Sequence, residues 1–135
     1  NTTVLGQGAM FRGVTYLKQN AKAEGVKTMP SGLQVKVLRE GKGKQPKATD
    51  EVTVHYRGRT VDGKEFDSSY RRGEPTTFPL NRVIRGWTEG LQLMKEGGKV
   101  ELTVPSELAY GSKGMGSDIG PDEVLIFEIE LIKVK

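Results

Sequence analysis

The spacing of apolar residues changes at Ser31, and this change constrains the fold more than any other feature of the sequence. Over residues 9–24 apolar side chains recur every three or four positions, which predicts a helix that ends near Gly25. Its apolar face consists of Phe11, Val14, Leu17 and Ala21. From Ser31 onwards apolar and polar residues alternate, which is typical of half-buried strands.

The alternating part of the sequence predicts a sheet of five or six strands. The predicted strands are 33–37, 52–58, 65–68, 76–80, 99–105 and 123–134. Asp62-Gly63 separates two of them and is a strong hairpin signal, and hairpins imply antiparallel pairing. Residues 86–94 predict a short internal helix that can cover the apolar face of the sheet. We therefore expect an α+β fold, with an antiparallel five- to six-stranded β-sheet wrapped around a short α-helix and an additional N-terminal α-helix outside.

The length of the chain indicates a single globular domain with an appendage. The 135 residues are 35% apolar, which supports one modest core. Residues 1–8 are small and polar and predict a disordered segment, residues 9–28 a linker helix, and residues 29–135 the folded domain. The apolar face of the linker helix is expected to pack on this domain. The alternative is that this helix is the end of a longer one that joins the domain to a preceding part.

The composition argues against several classes of function. Without cysteine there is no disulfide or thiol chemistry, and with His55 as the single histidine a zinc site is improbable, so we expect no metal and no cofactor. The glycines at 41–44 lack the spacing of a phosphate-binding loop. The 21 basic and 17 acidic residues are interspersed, which predicts a solvated surface without nucleic-acid binding. No apolar run is long enough to span a membrane.

A cluster of aromatic and aliphatic residues predicts an apolar pocket. Trp87 is the single tryptophan and lies in the short internal helix, shortly after Val83 and Ile84. Each residue also has an ordinary interpretation: Trp87 alone is more often a core residue, and Asp67 could cap the turn that follows it. His55 is expected to point away from the pocket, because it neighbours an inward-facing Tyr56 on a strand.

Five motifs follow one another along the chain. They are Val-Thr-Val-His-Tyr at 52–56, Gly-Lys-Glu-Phe-Asp-Ser-Ser at 63–69, Val-Ile-Arg-Gly-Trp-Thr-Glu-Gly at 83–90, Ala-Tyr-Gly at 109–111 and Leu-Ile-Phe-Glu-Ile-Glu-Leu at 125–131. In this order they resemble the motifs of the FK506-binding proteins, a family of peptidyl-prolyl cis-trans isomerases. The resemblance covers residues 31–135. Any one motif is weak by itself, but five in order are highly specific.

The resemblance implies a set of site residues. The substrate- and inhibitor-binding residues would be Tyr56, Phe66, Asp67, Phe78, Val83, Ile84, Trp87, Tyr110, Ile119 and Phe127. The catalytic residues would be Asp67, Tyr110 and Tyr56. The Tyr110 hydroxyl and the Ile84 N–H would hold carbonyl groups, while Asp67 would orient Tyr56 or Arg72, or act electrostatically on the twisting carbonyl. Met115 stands near a position where many small members of the family have histidine.

In the first part of the chain, Glu-Gly-Val-Lys-Thr at 24–28 leads into Ser-Gly-Leu-Gln at 31–34. This stretch resembles one subgroup of the family, the macrophage infectivity potentiators. This resemblance implies a secreted, periplasmic or cell-surface location and a role in virulence. The N-terminal dimerisation part of that subgroup is expected to be missing, so we expect this chain to be a monomer.

The function implied by the resemblance is acceleration of X-Pro bond isomerisation in polypeptides by a non-covalent, desolvating apolar pocket, in support of protein folding. FK506 and rapamycin would be inhibitors. The alternative is a non-catalytic module that binds proline-containing peptides or acts as a chaperone. A small basic barrel that binds RNA or polysaccharide is a third hypothesis, but it needs basic and aromatic residues alternating on an exposed sheet face, and the strands show valine and leucine instead.

Overall fold

The computed structural model describes residues 2–135 of the chain, with side chains from residue 11 onwards. Within this region seven strands form one antiparallel sheet. The strands are β1 (Val26–Thr28), β2 (Gln34–Arg39), β3 (Glu51–Thr60), β4 (Glu65–Ser68), β5 (Thr76–Pro79), β6 (Lys99–Val104) and β7 (Leu125–Val134). Three α-helices accompany them: α1 (Thr2–Asn20), α2 (Ser69–Arg72) and α3 (Arg85–Leu91). The predicted fold class is confirmed, with β1 as an extra strand inside the expected linker.

The order of strands across the sheet is β1-β2-β6-β7-β3-β4, and β5 also pairs with β3. The ten residues of β7 alternate between the two faces as the sequence predicts. Leu125, Phe127, Ile129 and Leu131 face the inner core, while Ile126 is buried on the outer face. A long alternating strand in the middle of the sheet thus supplies both layers of the domain.

Helix α3 lies directly against the inner face of the sheet. A β-carbon at Gly86 would stand 2.5 Å from Val104, and one at Gly90 would stand 2.6 Å from Leu102. Since such distances are not tolerated, the two glycines allow the helix backbone to approach β6 closely. This approach buries Trp87 and Leu91 in the core.

Helix α1 packs on the outer face of the sheet, but not through the predicted apolar stripe. Phe11 is 72% exposed and Val14 is 46% exposed. Gly13 is buried instead, and a β-carbon there would stand 2.8 Å from Val124. The prediction that the stripe packs on the domain is therefore wrong for Phe11 and Val14, because the close approach takes place where the helix has no side chain.

Polar contacts complete the docking of α1. The Asn20 side-chain amide donates to Gln34 at 2.8 Å and to Thr103 at 3.2 Å, and Gln34 donates to the Leu17 carbonyl at 2.8 Å. Gln34 and Thr103 are both buried, so these bonds satisfy polar groups that lie under the helix.

None of the helices in the described region is long and apolar enough to cross a membrane.

The ends of α1 differ from the predicted ends. The helix begins at Thr2, where the sequence indicated a disordered segment over 1–8, and it ends at Asn20, before the predicted linker helix of 9–28 is complete. Glycines 6 and 8 do not end it, because glycine costs a helix only about 1 kcal/mol. At the other end, Ala23 donates back three residues to Asn20, and Gly25 with φ +80° turns the chain into β1.

One edge of β3 places three functional segments side by side. β4 pairs with the second half of β3 and β5 with its first half, and the short helix α2 lies between them. Asp67 near the end of β4, Arg72 at the end of α2 and Thr76 at the start of β5 are thereby brought together beside Tyr56 of β3.

Candidate active site

A cavity of about 500 Å³ opens between α3 and the sheet. This volume lies within the range of ligand-binding sites. The lining residues are Tyr56, Phe66, Asp67, Thr76, Phe78, Arg82, Val83, Ile84, Trp87, Ala109, Tyr110 and Phe127.

The floor of the cavity is the indole ring of Trp87, which is 5% exposed. Tyr56 and Phe127 stand edge-on to it, with ring centroids at 4.9 Å and 5.2 Å, and Phe78 is tilted against it at 5.4 Å. Edge-on aromatic pairs of this kind fix ring orientations. Within the described region the buried indole N–H has no hydrogen-bond acceptor, so it adds no polar contact to the floor.

The wall formed by Phe66 and Phe127 depends on Gly58. The two rings meet edge to face at 5.6 Å. A β-carbon at Gly58 would stand 2.6 Å from the Phe66 ring and 2.8 Å from the Phe127 ring. Because Gly58 has no side chain, there is room at this position of β3 for both rings.

The polar side of the cavity is organised around the carboxylate of Asp67. It accepts hydrogen bonds from the Tyr56 hydroxyl and from the Arg72 guanidinium. Arg72 also donates to the Tyr56 hydroxyl at 3.3 Å and to the Thr76 hydroxyl at 2.9 Å. The Asp67 carboxylate is thus held in one orientation and is electrically balanced by a neighbouring cation.

The same contacts determine the ionisation of these groups. Burial alone would raise the pKa of Asp67, but the hydrogen bonds from Tyr56 and Arg72 outweigh it, so the pKa of this carboxyl is below its ordinary value. Burial and the hydrogen bond to Asp67 raise the pKa of the Tyr56 hydroxyl. At neutral pH the cavity therefore contains a carboxylate and a protonated phenol.

Two hydrogen-bond donors in the cavity wall are available to a ligand. The Tyr110 hydroxyl makes no hydrogen bond to any described residue, and burial together with the charge of Asp67 raises its pKa. The backbone N–H of Ile84 likewise donates to no acceptor in residues 2–135, while the Ile84 carbonyl starts α3 by accepting from Trp87 and Thr88. A carbonyl group that enters the cavity can be held by either donor.

Nine of the ten residues predicted for the pocket line the cavity, and Ile119 does not. Ile119 is 5% exposed and belongs to the core beneath the loop that follows Tyr110. It is held there by reciprocal backbone hydrogen bonds with Met115, at 2.7 Å and 3.2 Å. These bonds close the loop on itself and leave the Met115 side chain 55% exposed on the outside.

Sequence reasoning missed three lining residues, Thr76, Arg82 and Ala109. Ala109 belongs to the Ala-Tyr-Gly motif at 109–111, but Tyr110 was the residue named from that motif. Thr76 is an ordinary strand residue with no local signal. Arg82 directly precedes the motif that begins at Val83, and that position was the available signal for it.

His55 lies outside the cavity, as predicted. Its ring stacks on Tyr70 at 4.6 Å, and its Nδ1 is 2.8 Å from the Ser69 hydroxyl. Ser69 is fully buried, accepts from the Tyr56 N–H at 2.7 Å and donates to the Tyr56 carbonyl at 3.2 Å. These bonds fix α2 against β3 and so hold the backbone from which Tyr56 projects.

Comparison with known protein families gives two matches along the chain. Residues 42–132 match a family described as FKBP-type peptidyl-prolyl cis-trans isomerase. Residues 6–37 match a domain described as amino terminal to FKBP-type peptidyl-prolyl isomerase.

Curated relatives are similar over most of this chain. A probable FKBP-type peptidyl-prolyl cis-trans isomerase FkpA of Neisseria meningitidis is 53% identical over 91% of this chain and 45% of its own length. The FKBP-type 22 kDa peptidyl-prolyl cis-trans isomerase of Escherichia coli is 52% identical over 95% of this chain and 62% of its own length. The peptidyl-prolyl cis-trans isomerase Mip of Coxiella burnetii is 53% identical over 89% of this chain and 52% of its own length. The chain thus spans about half the length of these relatives.

Solved structures share the fold. The crystal structure of FkpA from Escherichia coli superposes with a TM-score of 0.93 at 48% identity, covering 96% of this chain and 61% of that one. A peptidyl-prolyl cis-trans isomerase from Pseudomonas syringae superposes with a TM-score of 0.89 at 41% identity, covering 96% of this chain and 95% of that one.

Proposed function

The chain belongs to the FKBP-type peptidyl-prolyl cis-trans isomerase family, and from that membership we propose that its cavity accelerates rotation about X-Pro bonds in polypeptides. The observation that carries the proposal is the cavity itself. An apolar floor of aromatic rings is combined with one fixed carboxylate and two donors, Tyr110 and Ile84, that have no other partner in the described region.

The reaction suits such a site because it needs no covalent step. Rotation faces a barrier of ~18–20 kcal/mol that comes from amide resonance, and without a catalyst it takes tens to hundreds of seconds at an X-Pro bond. Charge separation between the carbonyl oxygen and the nitrogen falls as the amide twists, so water favours the planar state. An apolar cavity that excludes water removes that preference.

The residues have separate roles in this proposal. The proline ring would rest on Trp87, as an apolar ring on an aromatic floor. Tyr110 and the Ile84 N–H would hold the flanking carbonyl groups, and Asp67 would face the twisting amide. No proton moves, so Asp67 acts as a charge and not as a general base. A rate gain of about 10³ requires only ~4 kcal/mol of differential stabilisation.

The test is isomerisation of a short Leu-Pro peptide, measured with and without rapamycin while Trp87 fluorescence is followed. We expect acceleration that rapamycin abolishes, together with a changed emission, because Trp87 is the single tryptophan. We propose FK506 and rapamycin as ligands because the chain belongs to this family and its cavity has a floor of aromatic rings. A folded protein that neither accelerates the peptide nor binds it would refute the proposed function.

A non-catalytic module that binds proline-containing peptides is the alternative function. It predicts that a bound peptide exchanges between cis and trans no faster than the free peptide in NMR exchange spectra. The fixed carboxylate of Asp67 favours catalysis, since apolar binding of a proline ring does not need it. The secreted, periplasmic or cell-surface location, the monomeric state and the role in virulence stay predictions.

Replacing Tyr110 with phenylalanine is expected to lower kcat/KM roughly two- to twelvefold. One hydrogen bond to the substrate contributes about 0.5–1.5 kcal/mol, and the change removes the hydroxyl without emptying the wall. Tyr70→Phe is the matched control, because Tyr70 stacks on His55 outside the cavity. The activity of the Tyr70→Phe variant should be unchanged. Equal loss in both variants would show that Tyr110 holds no substrate group.

The activity is expected to be flat from about pH 5 to 9 and to fall in acid. The pKa of Asp67 lies below its ordinary value, so its carboxylate persists until the pH falls through that lowered pKa. The pKa values of Tyr56 and Tyr110 are raised, so both phenols stay protonated in mild base. The contribution of Asp67 to the free energy of unfolding changes with pH in the same direction as the activity. It is present above the unfolded pKa and is lost as the pH falls through the lowered folded pKa. A pH–rate profile with a step near neutrality would contradict this assignment.

A further inference from the structure

The charges in the cavity wall do not balance. Asp67 and Arg82 are the charged residues among those that line the cavity. The charge of Asp67 is already matched by Arg72, with which it forms an ion pair. Within the described side chains Arg82 forms neither an ion pair nor a hydrogen bond. The cavity therefore carries one uncompensated positive charge, and it lies at Arg82.

The backbone beneath Arg82 is firmly held, although its side chain is free. Arg82 ends a single helical turn, Leu80–Arg82, whose first residue is fully buried. The Leu80 N–H donates to the Asp50 carbonyl at 2.9 Å, and the Leu80 carbonyl accepts from the Thr88 hydroxyl at 2.7 Å. A charge on a fixed backbone next to the cavity is in a position to act on whatever the cavity binds.

The path of an extended substrate brings its flanking residues past this charge. Val83 lines the cavity and also lines a shallow groove that runs over the outer surface of α3. A polypeptide whose proline occupies the cavity must leave it in both directions, and Val83 is the point where cavity and groove meet. Arg82 lines the cavity but not the groove, so its charge can act on the residues that flank the proline before they enter the groove.

The second arginine of this stretch is not equivalent. The Arg85 guanidinium donates to the Glu107 carbonyl, and the groove that Arg85 lines also contains the carboxylate of Glu89. The positive charge on that side of Val83 is therefore accompanied by a negative one. Arg82 has no such neighbour among the residues that line the cavity apart from Asp67, which Arg72 already balances.

We propose that Arg82 is a specificity-determining residue that favours substrates with an acidic side chain within two residues of the proline. The inference rests on the proposed function and adds a substrate class to it. Because both charges remain in contact with water, the preference is modest, and we expect roughly a two- to fivefold higher kcat/KM for glutamate than for glutamine at the same position. The preference is expected to disappear at about 1 M salt, where the screening length is about 3 Å.

The test compares peptides with a common Leu-Pro core that carry glutamate, glutamine or lysine either two residues before the proline or directly after it. The ratio of kcat/KM for the glutamate and glutamine peptides is measured in the wild type, in Arg82→Glu and in Arg82→Gln. Lys22→Glu is the matched control, because it makes the same change of charge at an exposed residue that does not line the cavity. Using a ratio separates charge selection from any change in overall rate.

We expect the glutamate-to-glutamine ratio to be two- to fivefold in the wild type at one of the two positions, near one in Arg82→Gln, and inverted in Arg82→Glu. Lys22→Glu should keep the wild-type ratio. A ratio near one at both positions in the wild type, or a preference that survives Arg82→Gln, would overturn the inference. The two failures are distinguishable, because an enzyme that accelerates the glutamine peptide without charge preference retains the proposed function, whereas no acceleration of any peptide removes it.

Discussion

Asp67→Asn is expected to lower kcat/KM for an X-Pro peptide by about one to two orders of magnitude. The substitution keeps the size of the side chain but removes the negative charge that accepts from both Tyr56 and Arg72. Hydrogen bonds to a charged group contribute about 1.5–3 kcal/mol, which corresponds to roughly 10- to 150-fold in rate if the charge acts on the twisting amide. The measurement is the rate of isomerisation of a Leu-Pro peptide at neutral pH, together with urea unfolding to show that the domain is intact.

Asp62→Asn provides the matched control for this substitution. Asp62 is an exposed residue of the turn between β3 and β4 and accepts a hydrogen bond from Thr60, so the same chemical change is made outside the cavity. The Asp62→Asn variant should have the activity of the wild type. If Asp67→Asn were fully active while folded, the carboxylate would have only a structural role, and the proposed electrostatic action on the amide would have to be abandoned.

The sequence predicted most of the inner layer of the fold because that layer depends on local patterns. Alternation in residues 123–134 predicts that Phe127 and Ile129 share one face of β7, and the structure places both in the inner core. The spacing of Trp87 and Leu91 likewise places one face of α3 on the core. In both cases the side chains that determine the packing belong to the element whose period is observed.

The outer layer was less predictable because its contacts depend on residues far apart in the chain. The stripe of Phe11 and Val14 has the period of a buried helix face, but the helix docks through Gly13, which has no side chain to signal burial. Its docking is completed by side-chain hydrogen bonds of Asn20 and Gln34, which are polar residues that a hydrophobic pattern does not mark. Patterning reports where apolar side chains are, not where a backbone can approach a sheet.

The candidate site also contains residues that local sequence motifs predicted and residues that they did not. Contiguous motifs predicted its floor and walls, since Val83, Ile84 and Trp87 are adjacent in the chain. The position of Ile119 in a glycine-rich loop could not be predicted in this way, because its backbone bonds to Met115 turn its side chain into the core. The free charge of Arg82 was also beyond sequence reasoning, since the absence of a partner becomes visible only when neighbouring side chains are placed.

Gly86→Ala is expected to destabilise the domain by about 1–3 kcal/mol, although alanine normally favours a helix over glycine by about 1 kcal/mol. The sign is reversed because the new β-carbon would stand 2.5 Å from the Val104 side chain, so either α3 or β6 must move. Trp87 follows directly in the chain, and the displacement therefore shifts the floor of the cavity. The free energy of unfolding from urea titration, Trp87 emission and rapamycin affinity should all change together.

Gly120→Ala separates this effect from the general consequence of replacing a glycine. A β-carbon at Gly120 would have its nearest neighbour in the Glu123 side chain at 3.9 Å, which is ordinary contact, so the free energy of unfolding should change by less than about 0.5 kcal/mol. A Gly86→Ala protein as stable as the wild type, with unchanged Trp87 emission, would mean that α3 has room to move away from β6 at no cost. The close approach of helix and sheet would then not be what fixes the floor of the cavity, and the rigidity assigned to Trp87 would have to come from its aromatic neighbours Tyr56, Phe78 and Phe127 alone.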